Sequence, residues 1–347
     1  MEYDVEFNSG AFYPAEADVR LAEIAEDKGF GAVWKGESNS TDPIVLLSAM
    51  AARTKRIKLG TAVYHMFGRS PITMGIQAAT LNDLSDGRLL FGLGTANTTI
   101  ASWHGLPFER PLGRIKEYAE IVRKTARGEK FDYQGEFYKT GVFKLSWQPK
   151  HPEVPIYFAG LGPQMTRLTG RYADGVVINM ANPSMVRDIV ARVRESATAA
   201  GRDADKLEQI FKVRVCMHPD RSIAVNKLKQ VLAFYMVSDP NEWQAGHDTG
   251  YGALFERMGY ANELAAVRKE FTDEGFRAAQ MAIPDVMLSG DSNREPVPMV
   301  AASSIQEVRD RLYPYMEAGG TRIIIPYVPV TEDSVGEATA FLNAWRD

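Results

Sequence analysis

Two glutamates lie at positions where burying a carboxylate costs free energy unless the group has a partner or a function. Glu6 falls near the end of the run Tyr3–Phe7, on the face that the apolar residues of that run do not share. A carboxylate buried there needs a partner or a role, so Glu6 is a candidate proton donor; the alternative is an ion pair with an arginine of a neighbouring strand. Glu37 could orient a substrate, accept a hydrogen bond from a cofactor ring, cap the next helix or pair with Lys35.

A histidine and two short polar residues follow other apolar runs. His65 comes just after Ala62-Val63-Tyr64 and is a candidate base or substrate ligand. The chain has only five histidines and no second one at metal-ligand spacing from His65, so we predict no metal site. Thr95 and Asn97 follow Gly92-Leu93-Gly94 and could hydrogen-bond the carbonyl oxygens of a planar ring, or merely satisfy a turn.

The segment AGLGPQM at 159–165 predicts an anion site. An apolar run ends there and a helix begins, with a proline at its first turn. Free backbone N–H groups and the helix dipole attract a phosphate at such a place, and Arg167 and Arg171 follow on the same helix. A plain glycine-rich turn is the alternative. The residues concerned are Gly160, Leu161, Gly162, Pro163 and Gln164.

Eight short apolar runs would bring these residues together. They are Tyr3–Phe7, Ala32–Lys35, Ile57–Val63, Leu89–Gly94, Ile156–Gly160, Gly175–Asn179, Ile210–Met217 and Arg322–Tyr327. Helix-like segments follow them, which predicts a (β/α)8 TIM barrel with its chemistry at the carboxyl ends of the strands. An open doubly wound sheet is the competing topology, but eight strands and a last run close to the C-terminus favour closure.

The helices are predicted from apolar residues at three- and four-residue spacing. Prolines or short polar residues precede these stretches, and glycines such as Gly29 follow several of them, which is typical of helix ends. The clearest cases are Pro14–Lys28, Pro43–Arg53, Pro71–Leu84, Ser184–Ala200 and Ile305–Ala318.

We predict one domain over residues 1–347, with insertions near 131–150 and 237–300. Phe131–Leu145 is interpreted as a hairpin turning at Gln134-Gly135. The second insertion is expected to shape the substrate pocket, since long loops on barrels carry specificity. Its candidate lining residues are Tyr235, Trp243, His247 and Tyr251.

Composition narrows the functional class. The net charge of −4 gives no indication of nucleic-acid binding, and no apolar stretch is long enough to span a bilayer. The single cysteine, Cys216, rules out an internal disulfide and is expected to be a buried thiol. With no signal peptide recognised at the N-terminus, we expect a cytoplasmic protein that acts on a small molecule.

Several segments, taken in order, resemble the bacterial-luciferase-like superfamily of barrels, which use flavin or the deazaflavin coenzyme F420. They are LGTAV at 59–63, LNDLSDGRLLFGLGT at 81–95, HGLPFERPLGRIKEYAEIVR at 104–123, GEKFDYQGEFYKT at 128–140 and PIYFAGLGPQMTRLTGRYADGVVIN at 155–179. Glu6 and the segment AGGTRIIIPYVP at 318–329 make the chain most similar to the F420-dependent branch, and within it to methylene-tetrahydromethanopterin reductases.

The resemblance implies an oxidoreductase that transfers a hydride between F420 and a small organic substrate. In that branch the residues matching Ala62 and Val63 are joined by a non-prolyl cis peptide bond, and the resulting bulge backs the deazaflavin ring. Thr61, Thr95 and Asn97 would be further cofactor contacts. The glutamate matching Glu6 is the proposed proton donor, with Glu37 assisting, and the loop matching Gly162-Pro163-Gln164 lies near the cofactor phosphate. His65 and Tyr235 would contact the substrate, and a homodimer is expected.

Two departures from the superfamily pattern keep alternatives open. Glu37-Ser38 stands where an acidic residue and a histidine are common, and Ala96-Asn97 stands where Gly-Glu or Gly-Asp is frequent. The alternatives are an FMN-dependent monooxygenase served by a flavin-reductase partner, direct use of a nicotinamide, and a non-catalytic protein that keeps the cofactor pocket.

Overall fold

Eight parallel strands close into a barrel in this computed structural model, which describes residues 2–8, 10–244 and 250–346. The strands are β1 (Glu2–Glu6), β2 (Ala32–Lys35), β3 (Lys58–His65), β4 (Leu89–Gly94), β5 (Ile156–Ala159), β6 (Gly175–Asn179), β7 (Glu208–Lys212), β8 (Arg214–Met217), β9 (Met299–Ala302) and β10 (Arg322–Pro326). The barrel order is β1-β10-β7-β6-β5-β4-β3-β2. Since β1 pairs with both β2 and β10, the sheet has no open edge, and the doubly wound alternative is wrong.

The seventh apolar run is two strands rather than one, which corrects the sequence prediction. Its first half, β7, belongs to the barrel, and the N–H of Val213 still donates to Ile324 of β10 at 3.0 Å. The N–H of Arg214 then donates to the carbonyl oxygen of Pro298, and β8 pairs in parallel with β9 in a separate two-stranded sheet. Apolar periodicity is continuous through Val213, so it carries no sign of the change of partner.

The helices fall close to the predicted stretches. They are α1 (Ala15–Asp27), α2 (Pro43–Arg53), α3 (Pro71–Leu84), α4 (Thr98–Trp103), α5 (Pro111–Ala126), α6 (Pro163–Tyr172), α7 (Pro183–Ala199), α8 (Arg221–Met236), α9 (Pro240–Gln244), α10 (Tyr251–Arg257), α11 (Ala261–Glu274), α12 (Phe276–Met281), α13 (Val286–Ser289), α14 (Ile305–Glu317) and α15 (Ser334–Ala344). Side-chain hydrogen bonds cap the N-termini of several helices; for example, Asp42 caps α2 and Ser70 caps α3. In the described part of the chain, every helix is too short or too polar to cross a membrane.

The two insertions differ in kind. Between α5 and β5 the chain forms an irregular hairpin with two antiparallel bridges, Phe131 to Phe143 and Gln134 to Lys139. Its turn closes from Gly135 to Tyr138, slightly later than predicted. The second insertion contributes α9–α13 and β9. Of these, α10–α13 and β9 pack with α8 around a separate hydrophobic cluster that includes the buried Cys216.

Side chains fill the barrel interior in layers. A middle layer contains Trp34, Ile210 and Ile324. Beneath it, the carboxylate of Asp4 accepts hydrogen bonds from Trp34 Nε1 at 2.8 Å and from Arg322 Nη1 at 3.2 Å. Burial raises the pKa of Asp4 to about 7, against the opposing effect of Arg322. Barrels of this kind bind their ligands at the carboxyl ends of the strands, and that end is here called the mouth. Its rim includes Glu6, Val63, Gly94, Ala159, Asn179 and Lys212.

Candidate active site

The mouth holds a buried ion pair between Glu6, the last residue of β1, and Lys212, the last residue of β7. Lys212 Nζ lies 2.7 Å from Glu6 Oε2 and 3.0 Å from Oε1, and the two side chains are 8% and 11% exposed, lysine first. The same ammonium group donates to the carbonyl oxygen of Ala62 at 2.6 Å. The ion-pair alternative predicted for Glu6 is thus present, but its partner is a lysine across β10 and not an arginine.

The third barrel strand bulges at the mouth. The peptide bond between Ala62 and Val63 is cis, as the resemblance implied, and the pairing of β3 with β4 shifts register between Thr61 and Tyr64. Thr61 is fully buried, and its hydroxyl donates to the carbonyl oxygen of Gly92 at 2.8 Å. The structure therefore leaves the side chain of Val63 partly exposed at the rim, while the Thr61 hydroxyl predicted to contact a cofactor is already bonded to β4.

Small side chains line the rim next to this bulge. A Cβ atom added at Gly94 would lie 2.7 Å from Cγ2 of Val63 and 3.7 Å from Cβ of Ala159. Val63 and Ala159 are themselves only partly buried. Because these side chains are small, the ends of β3, β4 and β5 form a surface without large protruding side chains, against which a flat ligand could lie.

Glu37 has both carboxylate oxygens engaged. Oε1 accepts from Arg69 Nη1 at 2.6 Å, and Oε2 accepts the backbone N–H of His65 at 3.0 Å. The backbone N–H of Glu37 donates to the carbonyl oxygen of Val63 at 3.1 Å. Lys35 pairs instead with Asp18 at 2.8 Å. The geometry therefore favours a role for Glu37 in fixing the end of β3, and neither pairing with Lys35 nor helix capping occurs.

His65 is the last residue of β3 and is almost fully buried. Its Nε2 lies 3.1 Å from Oε2 of Glu37, while its buried Nδ1 has no partner within the described residues. Burial lowers the pKa of His65, although the charge of Glu37 opposes that effect. His65 is thus held as part of the rim, close to the ring of His104 at 5.0 Å.

The structure assigns Asn97 to a helix cap and to an inter-element contact. Its Oδ1 accepts the N–H of Ile100 at 2.9 Å, and its Nδ2 donates to Asp239 Oδ2 at 2.7 Å. Asp239 also accepts from Thr99 at 2.5 Å, so it fastens the start of α4 to the second insertion. The predicted ring contact by the amide of Asn97 is therefore not supported, because the turn alternative uses that amide. Thr95 is partly exposed, and among the described residues its hydroxyl makes one long hydrogen bond, of 3.4 Å, to the carbonyl oxygen of Ala96.

The predicted anion segment leads from β5 into α6. Gly162 is the N-cap residue and offers no side-chain cap, and Pro163 is the first helical residue. Gly160 and Leu161 are partly exposed, and Gln164 is exposed. The first-turn N–H groups therefore have no side-chain acceptor among the described residues. Arg171 lies in the last turn of α6, too far along the helix to assist at its start.

A second polar group lies beside the ion pair. Arg214 Nη1 donates to Oδ1 of Asn179, the last residue of β6, at 2.9 Å, and Nη2 donates to the hydroxyl of Tyr235. The guanidinium carbon lies 4.6 Å from the centre of the Tyr235 ring. Tyr251 accepts from Asn179 Nδ2 at 2.8 Å and packs edge-on against Tyr235, and burial raises its pKa. Tyr235 and Tyr251 thus lie beside Asn179 at the mouth, and their contact with a substrate stays a prediction.

Trp243, which was also proposed for the substrate pocket, is not part of this group. Trp243 packs under the guanidinium of Arg268 on α11, at 4.7 Å from its ring centre. His247 lies outside the described residues.

Comparison with known proteins identifies the family. The family model described as luciferase-like monooxygenase matches residues 6–322. The chain belongs to the luciferase-like monooxygenase family.

Individual relatives of this luciferase-like protein are reductases and dehydrogenases. The chain is 29% identical to a 5,10-methylenetetrahydromethanopterin reductase of Archaeoglobus fulgidus, over 79% of this chain and 83% of the relative. It is 31% identical to an F420-dependent glucose-6-phosphate dehydrogenase of Nakamurella multipartita, over 67% and 75%. A solved structure of the coenzyme F420-dependent tetrahydromethanopterin reductase from Methanopyrus kandleri matches with a TM-score of 0.81 and 23% identity, covering 98% of this chain and 96% of that one. This last likeness supports the fold.

Sequence reasoning missed two cations of this luciferase-like site. Lys212 and Arg214 occupy the positions at which β7 ends and β8 begins. A partial signal was available, because Lys212 lies two positions after the apolar Ile210 and so shares its face of the strand, and the structure shows that Ile210 fills the barrel interior. The argument that made Glu6 conspicuous applies equally to a buried lysine.

Proposed function

We propose that this chain catalyses hydride transfer between coenzyme F420 and a small organic substrate, as a reductase or a dehydrogenase. The observation that carries the proposal is the buried pair of Glu6 and Lys212 at the mouth of a luciferase-like barrel, beside the bulge of β3. A proton-holding pair beside a low, small-residue surface is what hydride transfer to a polar double bond requires.

Support for F420 as the cofactor comes from the relatives. Those named as F420-dependent enzymes or as methylenetetrahydromethanopterin reductases match most of this chain and most of their own length. The residues at the mouth fit a flat ring with a phosphate-bearing tail. Ala62, Val63 and Thr95 would face the ring, and the segment Gly160–Gln164 would hold the phosphate with the uncapped N–H groups of α6. When bound, F420 supplies a two-electron hydride carrier.

The chain's own residues would manage the proton. Oε2 of Glu6 is buried and receives no hydrogen bond of standard geometry among the described residues, although Lys212 Nζ is 2.7 Å away. In the reductive direction this pair would donate a proton to the substrate, and in the oxidative direction it would take one back. Glu37 acts as a positioning residue, since it holds His65 and the end of β3.

An FMN-dependent monooxygenase is the second candidate. The family description and two solved structures with the same fold carry the name monooxygenase. Such an enzyme would consume oxygen and depend on a flavin-reductase partner, whereas deazaflavin hydride transfer proceeds without oxygen. The homodimer and the cytoplasmic location remain predictions from the sequence.

The test begins with the cofactor. Purified protein is titrated with F420 and, separately, with FMN, and binding is followed by absorbance and fluorescence. We expect a micromolar or lower Kd for F420. Tight FMN binding without F420 binding, together with oxygen uptake on supply of reduced FMN, would reject the proposal in favour of the monooxygenase.

The role of Glu6 is tested with a matched pair of variants. Glu6→Gln should bind F420 within about twofold of wild type and lose turnover by about 10²–10⁴-fold, the usual contribution of a general acid. Glu23→Gln changes a partly exposed glutamate on α1 and should leave both quantities unchanged. Full turnover by Glu6→Gln would remove Glu6 from the chemistry.

A further inference from the structure

Arg214 is a buried cation with few acceptors. Its residue is 8% exposed, and it lies two positions beyond Lys212 on the same chain segment. Its hydrogen bonds go to Asn179 Oδ1, to the hydroxyl of Tyr235 and, at 3.7 Å, to the sulfur of Met180. None of these acceptors is charged.

Other buried basic side chains of the barrel strands have a carboxylate partner. Lys35 pairs with Asp18, Lys212 with Glu6, and Arg322 with Asp4. Across residues 2–8, 10–244 and 250–346, no carboxylate forms an ion pair with Arg214. The neighbouring carboxylate of Asp239 is engaged elsewhere, by Asn97 and Thr99.

Arg88 shows how this fold satisfies a purely structural buried arginine. It is 7% exposed, and it donates five hydrogen bonds, four to backbone carbonyl oxygens and one to the hydroxyl of Thr54. A guanidinium group has five N–H donors, so Arg88 uses all of them. Arg214 uses three, one of them on a weak sulfur acceptor, and leaves Nε–H and one N–H of Nη2 without an acceptor in the described structure.

These unused donors suit a particular chemistry. Nε and Nη2 form one edge of the guanidinium plane, and two oxygens of a carboxylate or a phosphate can accept from such an edge at once. A buried guanidinium without a counter-charge is costly, and an arriving anion removes that cost. An extended chain places the Cα atoms of Lys212 and Arg214 about 6.6 Å apart, so the anion would lie within a small molecule's length of the Glu6–Lys212 pair.

We infer that Arg214 binds an anionic group, a carboxylate or a phosphate, on the substrate of this enzyme, with Tyr235 and Asn179 holding the guanidinium in place. The inference rests on the proposed function, because only that proposal makes the bound molecule a substrate. In the proposed function the cofactor lies on the other side of the mouth. It makes the substrate an acid or a phosphate ester that carries its reducible or oxidisable carbon a few bonds from the anion.

The test uses acetate and inorganic phosphate as probes. Thermal unfolding is measured in chloride, acetate and phosphate at equal ionic strength, with and without saturating F420. Phosphate stabilises many proteins without a specific site, so the readout is the difference between wild type and Arg214→Met. We expect one or both anions to raise the wild-type Tm by about 1–3 °C more than that of the variant. An acetate effect alone indicates a carboxylate substrate, and a phosphate effect alone a phosphorylated one.

Two further variants keep the result interpretable. Arg53→Gln removes the same charge from the exposed end of α2 and should keep the full anion effect. Arg214→Lys keeps the positive charge but loses the paired N–H donors of the guanidinium, so it should retain less than half of the anion effect. It replaces Arg214→Met as the test variant if Arg214→Met does not fold. Equal anion effects in wild type and both Arg214 variants, or none in wild type, would overturn the inference.

F420 titration of the variants separates this inference from the proposed function. Arg214→Met should bind F420 within about twofold of wild type, and a loss of tenfold or more would assign Arg214 to the cofactor instead. If wild type itself does not bind F420, the proposed function fails, while the anion comparison on the cofactor-free protein still decides whether Arg214 is an anion site.

Discussion

Removing the lysine of the buried ion pair should cost stability in a strongly pH-dependent way. Lys212→Met keeps the length of the side chain but deletes the ammonium group that lies 2.7 Å from the carboxylate of Glu6. That carboxylate is 11% exposed, so water cannot replace the lost charge. The carboxyl group will take up a proton instead.

The magnitude follows from the cost of that protonation. An ordinary glutamate carboxyl group has a pKa of about 4.3. Keeping it protonated costs about 1.4 kcal/mol for each pH unit above that value. The free energy lost by protonating Glu6 in the variant is therefore at most about 3.7 kcal/mol at pH 7 and about 1 kcal/mol at pH 5. Loss of the hydrogen bond to the carbonyl oxygen of Ala62 adds about 1 kcal/mol at both pH values. Lys212→Met should therefore be destabilised by about 3–5 kcal/mol at pH 7 and by about 2 kcal/mol at pH 5.

A double-mutant cycle isolates the charge interaction. Adding Glu6→Gln to Lys212→Met leaves no charge to neutralise, so the double variant should recover about 2–3 kcal/mol at pH 7 relative to Lys212→Met. Urea unfolding followed by circular dichroism at both pH values gives the four free energies. The reasoning is refuted if the double variant is as unstable as the sum of the singles at pH 7, or if the cost of Lys212→Met is the same at pH 5 and pH 7.

Three further outcomes follow from contacts elsewhere in the fold. Asp4 has a pKa raised by burial to about 7, so its contribution to folding is greatest below its ordinary pKa and is lost as the pH rises through 7. Asp4→Asn removes that dependence, and the unfolding free energy of wild type minus that of the variant should fall by about 1–3 kcal/mol between pH 5 and pH 8 in urea titrations; parallel profiles would contradict this. Gly92→Ala places a Cβ atom 2.1 Å from the backbone oxygen of Thr61 and should cost about 2–4 kcal/mol, whereas Gly162→Ala, where a Cβ meets nothing within 4 Å, should change stability by less than about 1 kcal/mol. Asp239→Ala removes the two side-chain hydrogen bonds that fasten the start of α4, so amide hydrogen exchange in α4 should accelerate by about 10-fold or more while exchange in the barrel strands is unchanged; unaltered exchange in α4 would show that other contacts hold it.

Local patterns were sufficient to predict the barrel. α2 and α3 have the predicted bounds, because proline and a capping side chain mark their starts and the apolar period ends with them. The end of β1 was readable in part, since alternation places Glu6 on the face that the apolar residues of its run do not share, and the structure shows that this face is the barrel interior. The family resemblance located the bulge at Ala62-Val63, which no local propensity indicates.

The partners of the site residues could not be predicted, because they come from distant parts of the chain. Glu6 and Lys212 are separated by 206 positions, and Asn97 and Asp239 by 142. Sequence spacing carries no measure of such distances, so Asn97 looked as suitable for a ligand as for a cap. Glu37 likewise offered several roles, and only the positions of its neighbours distinguish fixing a strand end from taking part in the reaction.

The change of partner at Val213 has a practical consequence for engineering. Lys212, before it, forms the buried ion pair with Glu6. Arg214, after it, opens a stretch whose first strand, β8, pairs with β9 and bridges to Tyr327, and the chain returns to the barrel through β9 and α14. The segment from 214 to 302, here called the cassette, therefore begins and ends with the paired strands β8 and β9 and contributes most of a separate hydrophobic cluster. Exchanging that cassette between homologues is the natural way to build chimaeras that accept new substrates while the redox half of the molecule is left untouched.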